Sequence, residues 1–452
     1  MKTPLPHQIE DAEFLSDQAV AGNFSGMGSG KTLTGLEAIK RRDPNLIHRH
    51  YIIGPPISLP MWGEEIAEYF NIGASDILYL KTGMTVMDTN AAFIIMSYTI
   101  ATKRAAELRD LQALTMTLDE SHATKSTAAK RTKTILGKHG IINNVRHTWM
   151  LTGTPTTKWN DDLFPFLVRA CPDALTEKIG KLDLDHFRLR YCITQKRKFP
   201  GARFPVKLVV GNRNTDELNE MVYGGDHPVA VRRELSEVWD AMPPLTKNVL
   251  PIKLDKGVDG LGAILDELKS MKQSEVNELV GKQDVGLSTM RRLIGLGRVD
   301  ASVAYIHEKL DSGQRPILVG AWHTDVIDAI AEELALKKYK VAILDGRTSP
   351  SNKTAIQQQF NAGEIDVLIG QIAAMGVAIN LQVGGNYIIC VEEDWSPDIM
   401  DQFFARVYRM GQEHHVHIDL LRSDTKICEA LVRIADAKAR EHAKFNRQEE
   451  TD

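Results

Sequence analysis

Short runs of apolar residues alternate with amphipathic helical stretches, and this alternation occurs once in each half of the chain. Such runs, rich in β-branched residues and bounded by Gly, Pro or Asp, are typical of strands buried on both faces of a parallel sheet. The helical stretches between them predict crossover connections. The pattern therefore predicts an α/β protein with two parallel sheets in tandem, whose strands include 50–56, 93–98, 115–120, 147–155, 316–322, 340–346, 365–371 and 387–393.

The middle of the chain breaks this rhythm. Helix-period patterns dominate there, for example over 262–280, and Pro243-Pro244 marks an interruption. We therefore expect a helical insertion between the two sheets. The predicted division is a first lobe over 1–205, a helical insertion and linker over 206–300, and a second lobe over 301–452.

Composition narrows the class of protein. The 452 residues are 43% hydrophobic and 25% charged, as in ordinary globular proteins, and the net charge of −4 argues against an overall basic surface. The cysteines form no C-x-x-C pair, which argues against a zinc site or a disulfide framework. No apolar run reaches transmembrane length and no signal segment is seen, so we expect a cytoplasmic protein without a membrane partner.

A glycine-rich loop in the first half carries the clearest chemistry. The segment Ser25–Thr32 reads SGMGSGKT and opens a helix-like stretch. Glycines there let the backbone approach phosphate oxygens, a lysine reaches the β- and γ-phosphates, and a hydroxyl holds Mg²⁺. A glycine-rich turn before a helix is the alternative. We expect ATP to bind at Gly28, Ser29, Gly30, Lys31 and Thr32, with Thr32 as a Mg²⁺ ligand and Lys31 also catalytic.

An acidic pair follows the predicted strand at 115–120. Asp119 and Glu120 lie in LDESH, and alone they would be typical of a solvated strand end. Downstream of a phosphate-binding loop, however, Asp119 is expected to bind Mg²⁺ and Glu120 to orient or deprotonate the attacking water. The two motifs together predict ATP hydrolysis.

Two arginines in the second half point to a further catalytic contribution. Arg406 and Arg409 lie three residues apart in QFFARVYRMGQ and would share a face of a helix. Arginines from a second lobe can stabilise charge on the transferred phosphoryl group. A solvated basic helix face is the alternative interpretation.

These motifs together resemble those of a Swi/Snf-type helicase of superfamily 2, closest to its compact HepA-related, annealing-helicase branch. The matching segments occur in the family's order and cover nearly the whole chain: LPHQ at 5–8, GMGSGKT, IIGPPISLPMW at 52–62, IIMSY at 94–98, DESH, LTGTP at 151–155, LDGRTS at 344–349, GVAINL at 376–381 and RVYRMGQ at 406–412. Departures from the family pattern are Ser25-Gly26, Ala378 and Tyr408.

The resemblance implies a fold and further site residues. It implies two RecA-like lobes that clamp ATP, with Gln8 reading the adenine and Gly376 belonging to the nucleotide site. It also implies that Ser97 and Thr154 in the first lobe and Asn380 in the second contact a nucleic-acid strand.

Positive charge is concentrated in two stretches. Residues 121–160 and 187–213 contain no acidic residue, although the chain as a whole is slightly acidic. Local basic runs of this kind favour an aimed phosphate-binding groove, whereas solvated faces are the alternative. From the first run we expect Lys125, Arg131 and Lys133 to bind nucleic acid. No element indicates base-specific recognition, so the binding is expected to be independent of sequence.

The resulting hypothesis is a monomeric, DNA-dependent ATPase that translocates on double-stranded DNA and remodels it, anneals it or displaces bound proteins. A strand-separating DNA or RNA helicase is one alternative, and it would need a separating pin that the sequence does not reveal. An ATP-gated nucleic-acid clamp with incidental hydrolysis is another. The complete motif set argues against the clamp.

Overall fold

The fold is that of a computed structural model, which describes residues 3–56, 58–81, 90–156, 159–198, 204–239, 242–255, 257–282, 285–375 and 379–446. These residues form two compact units. The first extends to Val238 and takes in residues from Glu441, and the second spans Trp239–Arg440.

The first unit alternates strands and helices. Its elements are α1 (Pro6–Asp17), β1 (Val20–Asn23), α2 (Lys31–Arg42), β2 (His50–Gly54), α3 (Leu59–Phe70), β3 (Ile77–Tyr79), β4 (Phe93–Ser97), α4 (Tyr98–Lys103), α5 (Ala105–Leu111), β5 (Ala113–Asp119), α6 (Lys130–Leu136), β6 (Val145–Leu151), α7 (Phe164–Ala170), α8 (Pro172–Ile179), α9 (Leu184–Tyr191), β7 (Cys192–Arg197), β8 (Val206–Asn212), α10 (Thr215–Tyr223), β9 (Ala230–Val231) and α11 (Leu235–Val238).

The second unit repeats this alternation after a strand and three helices. Its elements are β10 (Leu245–Ile252), α12 (Leu261–Ser270), α13 (Gln273–Lys282), α14 (Val285–Leu296), α15 (Val299–Asp311), β11 (Ile317–Ala321), α16 (Thr324–Leu336), β12 (Val341–Leu344), α17 (Pro350–Asn361), β13 (Val367–Gln371), α18 (Ile372–Met375), β14 (Tyr387–Cys390), α19 (Pro397–Phe404), β15 (Val416–Ser423) and α20 (Lys426–Asn446), the last of which runs past the boundary between the units.

Each unit is built on one parallel sheet. The strand order is β3-β4-β2-β5-β6-β1-β9 in the first unit and β10-β15-β14-β11-β13-β12 in the second. Every strand pair within these two sheets is parallel. The predicted fold class, two tandem parallel-sheet α/β lobes, is confirmed, and each of the eight predicted strands is present.

Both faces of each sheet are buried, as the continuous apolar runs predict. In β2, Tyr51 and Ile53 pack into one apolar cluster while Ile52 packs into another, so successive side chains enter opposite layers. In β11, Leu318 and Val319 divide in the same way between two clusters of the second unit. The helices cover both faces, which leaves the ends of the strands as the places where polar loops gather.

The segment at 206–300 differs from the expected helical insertion. Its first part belongs to the first unit, where β8 and β9 are strands, and its last part supplies α12, α13 and α14 to the second. Between them β10 pairs along eight residues with β15, from Leu245 opposite Val416 to Ile252 opposite Ser423. The apolar pattern does not predict this edge strand, because exposed and partly buried residues are mixed along β10 and because Pro251 lies within it.

A two-stranded antiparallel hairpin, β7–β8, stands outside both sheets. In the sequence this stretch is apparent only as part of a basic run. Its strands are largely exposed, so they lack the continuous apolar run by which the buried strands are recognised.

Burial of helix α2 predicts a stability difference between two leucines of the first unit. Leu36 is fully buried, whereas Leu189 on α9 is 62% exposed. Leu36→Ala should lower the free energy of unfolding by about 2–5 kcal/mol, because it leaves a cavity in the core. Leu189→Ala should change it by less than about 0.5 kcal/mol. Urea unfolding followed by circular dichroism measures both, and equal effects would contradict this core assignment.

Candidate active site

The phosphate-binding loop joins β1 to α2. Gly28 and Gly30 both have φ of +81°, a left-handed conformation that favours glycine, and Gly30 immediately precedes the first residue of α2. The unpaired amides at the start of a helix then face the loop, where they favour an anion. Thr32 lies in the first turn of α2, as expected.

Lys31 is already directed into this loop. Its Nζ donates to the carbonyl oxygens of Ser25 and Gly26, each at 2.8 Å. These bonds hold the ammonium group over the backbone that precedes the two glycines. A phosphate in the loop would therefore meet a preorganised cation.

Gln8 packs against the same loop. Its side chain is 2% exposed, its Nε2 donates to Ser29 O at 3.4 Å, and its Oε1 accepts from Leu5 N at 2.9 Å. The ring of His7 also approaches Ser29 O, at 3.3 Å. Gln8 thus lies beside the phosphate-binding loop, and Ser29, the residue that it contacts, is also buried.

Asp119 ends β5 close to the end of β2. Trp62 Nε1 donates to Asp119 Oδ2 at 3.0 Å. A Cβ at Gly54 would lie 3.1 Å from Asp119 Cβ, so glycine allows this close approach. Desolvation and the charge of Glu120 together raise the pKa of Asp119 to about 6, although hydrogen bonds from Trp62 and Ser58 and the charge of Lys31 act in the opposite direction. An added cation would stabilise the charged form of a carboxylate whose pKa is raised in this way. Asp119 therefore suits the role of a Mg²⁺ ligand.

Glu120 has a backbone conformation uncommon for a residue with a side chain. Its φ is +49°, in the left-handed region, which non-glycine residues adopt rarely and often at functional sites. Glu120 Oε2 lies 3.3 Å from His122 Nδ1. Glu120 thus combines an uncommon backbone conformation with a contact to His122 of the same motif.

His122 joins the acidic pair to the end of β6. Its Nδ1 lies 3.1 Å from Thr152 Oγ1 and 3.4 Å from Thr154 Oγ1. Thr154 N in turn donates to Thr152 Oγ1 at 3.1 Å. His122 was not among the predicted site residues, although its place in LDESH was the available signal.

Arg233 and Arg232 are further residues whose contacts the sequence could not show. Gly26 N donates to Arg233 O at 2.9 Å, and Arg233 Nε donates to buried Asp11 of α1 at 2.8 Å. Arg232 NH1 donates to Phe24 O at 3.0 Å. The segment at 232–233 therefore stabilises the start of the phosphate-binding loop. The carboxylate partner of Arg233 lies more than 200 positions away in the sequence, so this contact depends on the fold.

The residues expected to bind nucleic acid in the first unit fall into two kinds. Ser97 is 9% exposed and caps α4, with its Oγ accepting from Ile100 N at 3.3 Å, and Thr154 is 8% exposed. In contrast, Arg131 and Lys133 are exposed on α6, and Lys125 is partly exposed just before it. The basic side chains are therefore the accessible ones.

In the second unit, the structure corrects the expected helical placement of the two arginines. Helix α19 ends at Phe404, so Arg406 and Arg409 lie in the following turn and not on one helix face. Arg406 Nε donates to Gln402 O at 2.8 Å, and Arg409 donates to the side-chain oxygen of Asn380. The turn brings Arg409 and Asn380 together, which a helix-face argument does not predict. Gly376 lies outside the described residues.

Two kinds of feature are absent from the described residues. None of the described helices is long and apolar enough to cross a membrane. Over the same part of the chain, no group of three or more His, Cys, Asp or Glu side chains is placed to hold a metal ion by itself. A Mg²⁺ ion at Thr32 and Asp119 would therefore need oxygen ligands from the nucleotide and water, which is how Mg²⁺ is commonly held.

Known proteins resemble this chain over most of its length. A regulator of chromatin from Xenopus laevis, SWI/SNF-related matrix-associated actin-dependent regulator of chromatin subfamily A-like protein 1, is 24% identical over 405 residues, covering 87% of this chain and 39% of that protein. The human DNA annealing helicase and endonuclease ZRANB3 is 26% identical over 408 residues, covering 87% of this chain and 36% of that protein. The chain thus spans less than half the length of these two relatives.

Among solved structures, the Sulfolobus solfataricus SWI2/SNF2 ATPase core in complex with dsDNA aligns with a TM-score of 0.45 and 18% identity. The alignment covers 98% of this chain and 97% of that one.

Family comparison gives the assignment. The SNF2-related domain matches residues 14–261, more than half of the chain, and the helicase conserved C-terminal domain matches residues 297–411. The predicted resemblance to Swi/Snf-type helicases of the annealing-helicase branch is confirmed, and the prediction of a helicase-family ATPase is confirmed at the level of its domains. The chain belongs to the SNF2-related family.

Proposed function

We propose that this protein is a DNA-stimulated ATPase that translocates on double-stranded DNA without sequence preference, remodelling or annealing it or displacing bound proteins. One observation carries the proposal. The phosphate-binding loop, the acidic pair and the threonines after β6 lie at the same edge of one sheet, and His122 contacts both of the latter groups. The family membership and the names of the relatives support DNA as the polymer.

ATP is the proposed substrate, bound by the loop from Gly28 to Thr32. The left-handed glycines and the inward-pointing ammonium group of Lys31 support this assignment. The desolvated Asp119 and the hydroxyl of Thr32 would hold Mg²⁺. When bound, that ion would neutralise charge on the β- and γ-phosphates. Gln8 would read the adenine, and Gly376 is retained as a proposed part of the nucleotide site.

Glu120 is the proposed residue that orients and deprotonates the attacking water. Its neighbour Asp119 is desolvated, while Glu120 turns away toward His122. We propose Arg406 and Arg409 as the cations of the second unit that stabilise charge on the transferred phosphoryl group. The contact of Arg409 with Asn380 supports a fixed position for its guanidinium group.

The proposed contacts with nucleic acid are phosphate contacts. Lys125, Arg131 and Lys133 are accessible cations near α6, in a stretch without acidic residues. Ser97, Thr154 and Asn380 are kept as proposed backbone contacts at the strand ends. Contacts of these kinds fix register without reading bases, which supports binding that is independent of sequence.

Strand separation is the second candidate function. The observation that favours it is the exposed β7–β8 hairpin, since a separating pin was the feature that the sequence did not reveal.

A cytoplasmic location and a monomeric state are part of the leading proposal, the DNA-stimulated ATPase. The free state of the four cysteines supports the former, and the presence of all proposed catalytic residues in one chain supports the latter.

Stimulation of ATP hydrolysis tests the proposed polymer. The steady-state rate should rise strongly with duplex DNA and less with single-stranded DNA or RNA. Lys31→Ala should lower the stimulated rate by about 10²-fold or more, because a preorganised charge on the phosphates is lost. Lys40→Ala, which removes an exposed lysine from the same helix, is the matched control. Greater stimulation by single strands would favour a conventional helicase.

Two further variants should separate nucleotide binding from turnover. Glu120→Gln should bind a fluorescent ATP analogue with nearly unchanged affinity yet stop hydrolysis, since only the base is removed. Arg409→Ala should likewise bind but turn over about 10³-fold more slowly. Arg292→Ala, the control, removes an exposed arginine that is paired with Asp325, and it should change neither nucleotide binding nor turnover. Normal turnover by either active-site variant would refute its assigned role.

A further inference from the structure

The pairing between β1 and the chain at β9 continues beyond β1 into the phosphate-binding loop. Three backbone hydrogen bonds run along it in succession: Gly22 N to Val229 O at 2.9 Å, Phe24 N to Val231 O at 2.8 Å and Gly26 N to Arg233 O at 2.9 Å. Arg233 N also donates to the buried Oγ of Ser25 at 3.1 Å. The start of the loop is therefore held like a strand, up to two residues before the left-handed Gly28.

The side chain of Arg233 joins this paired segment to helix α1. Its Nε donates to Asp11 Oδ1 at 2.8 Å and its Nη2 donates to Glu10 Oε2 at 2.8 Å. Asp11 is 2% exposed. The ion pair at Asp11 is therefore screened less by water and salt than a pair on the surface. Through one residue, α1 is connected to the start of the phosphate-binding loop.

Gln8 lies on the same side of α1 as Asp11. The two residues are three positions apart, so they are neighbours on the helix surface, and both are buried. Gln8 Nε2 donates to Ser29 O at 3.4 Å, which is long for a hydrogen bond between neutral groups. The charged pair of Asp11 with Arg233 is the stronger of the two connections between α1 and the loop. The position of Gln8 relative to the loop therefore depends chiefly on Arg233.

The amide of Gln8 can distinguish one purine from the other. A glutamine amide has two donor hydrogens and two acceptor sites. Among the described residues, Ser29 O takes one donor hydrogen and Leu5 N takes one acceptor site, so one of each remains. Adenine presents an acceptor at N7 and a donor at N6, whereas guanine presents acceptors at both N7 and O6. A fixed Gln8 can thus form two hydrogen bonds with adenine but only one with guanine.

We propose that Arg233 is a positioning residue that determines base specificity. Through Asp11 it fixes α1, and with it Gln8, relative to the phosphate-binding loop. Arg233 acts on the base only through Gln8. This inference rests on the proposed function, in which Gln8 reads the adenine, and deepens it by naming the ion pair on which that reading depends.

The proposal is tested by comparing the affinities for ATP, GTP and tripolyphosphate, each measured by competition against a fluorescent ATP analogue. The wild type should bind ATP more tightly than GTP. Arg233→Gln should lower this preference about tenfold, because one hydrogen bond to the base is no longer held in place. The affinity for tripolyphosphate should stay nearly unchanged, since the backbone of residue 233 still pairs with the loop.

Arg41→Gln is the matched control. The side chain of Arg41 is 32% exposed, against 33% for Arg233, and it also forms an ion pair with a carboxylate of α1, Glu13, at 3.6 Å. Its other ion pair is with Glu37 of α2, so neither of its carboxylate partners belongs to the loop. Arg41→Gln should therefore leave the preference for ATP unchanged. A loss of preference equal to that of Arg233→Gln would overturn the proposal.

A second set of variants separates positioning from a general effect on folding. Asp11→Asn should reproduce the loss of preference, and the double variant with Arg233→Gln should lose no more than either single variant, because both remove the same connection. Arg233→Lys, which keeps the charge, should retain most of the preference. Thermal melting of each variant checks folding, and Asp11→Asn carries the test if Arg233→Gln does not fold. Full preference for ATP in folded Arg233→Gln or Asp11→Asn would overturn the proposal.

Gln8→Ala distinguishes failure of this inference from failure of the proposed function. If Gln8→Ala abolishes the preference for ATP while the Arg233 and Asp11 variants keep it, only the positioning role fails. If the wild type binds ATP and GTP equally, the assignment of Gln8 and the positioning role both fail. Stimulation of hydrolysis by duplex DNA is measured separately and is decided by neither result.

Discussion

The aligned carboxyl ends of the strands in the first sheet are the constraint on which the site depends. Asn23 of β1 is paired with Leu151 of β6, and Leu151 with Asp119 of β5. This register brings the phosphate-binding loop, the acidic pair and the threonines of LTGTP to one edge, although the first and the last of these segments are more than 100 residues apart. Asp119 is desolvated at this edge, and the charge of Lys31 is one of the influences that lower its pKa. A register shift in β5 would move Asp119 away from the end of β6 with which it is paired.

A short chain of contacts leads away from this edge. Glu120 meets His122, which lies beside Thr152, and the chain that follows reaches Asn160 at the root of the hairpin. The chain that leaves the proposed catalytic residues therefore also provides Asn160, which holds the root of the hairpin.

Strong periodicity and local motifs made much of the fold and of the ATP site predictable. Buried parallel strands such as β2 and β4 are continuous apolar runs. The glycines of SGMGSGKT allow the left-handed backbone conformations of its loop, so this loop could be predicted from local sequence. The sequence could not show β10 or the hairpin, because edge strands and exposed strands mix polar and apolar residues. Nor could it show the ion pair of Arg233 with Asp11, which depends on tertiary contact alone. The helical placement of Arg409 was wrong because three-residue spacing also fits a turn.

Movement along DNA is the property that separates a motor from a DNA-stimulated ATPase. The most direct measurement is ATP-dependent displacement of a triplex-forming strand from a duplex, with Glu120→Gln as the variant that binds nucleotide without turnover. If the protein is a motor on duplex DNA, the wild type should displace the third strand when ATP is present, and Glu120→Gln should not displace it. Strong duplex-stimulated hydrolysis with no displacement of that strand would contradict translocation and leave a DNA-stimulated ATPase that does not move along the duplex.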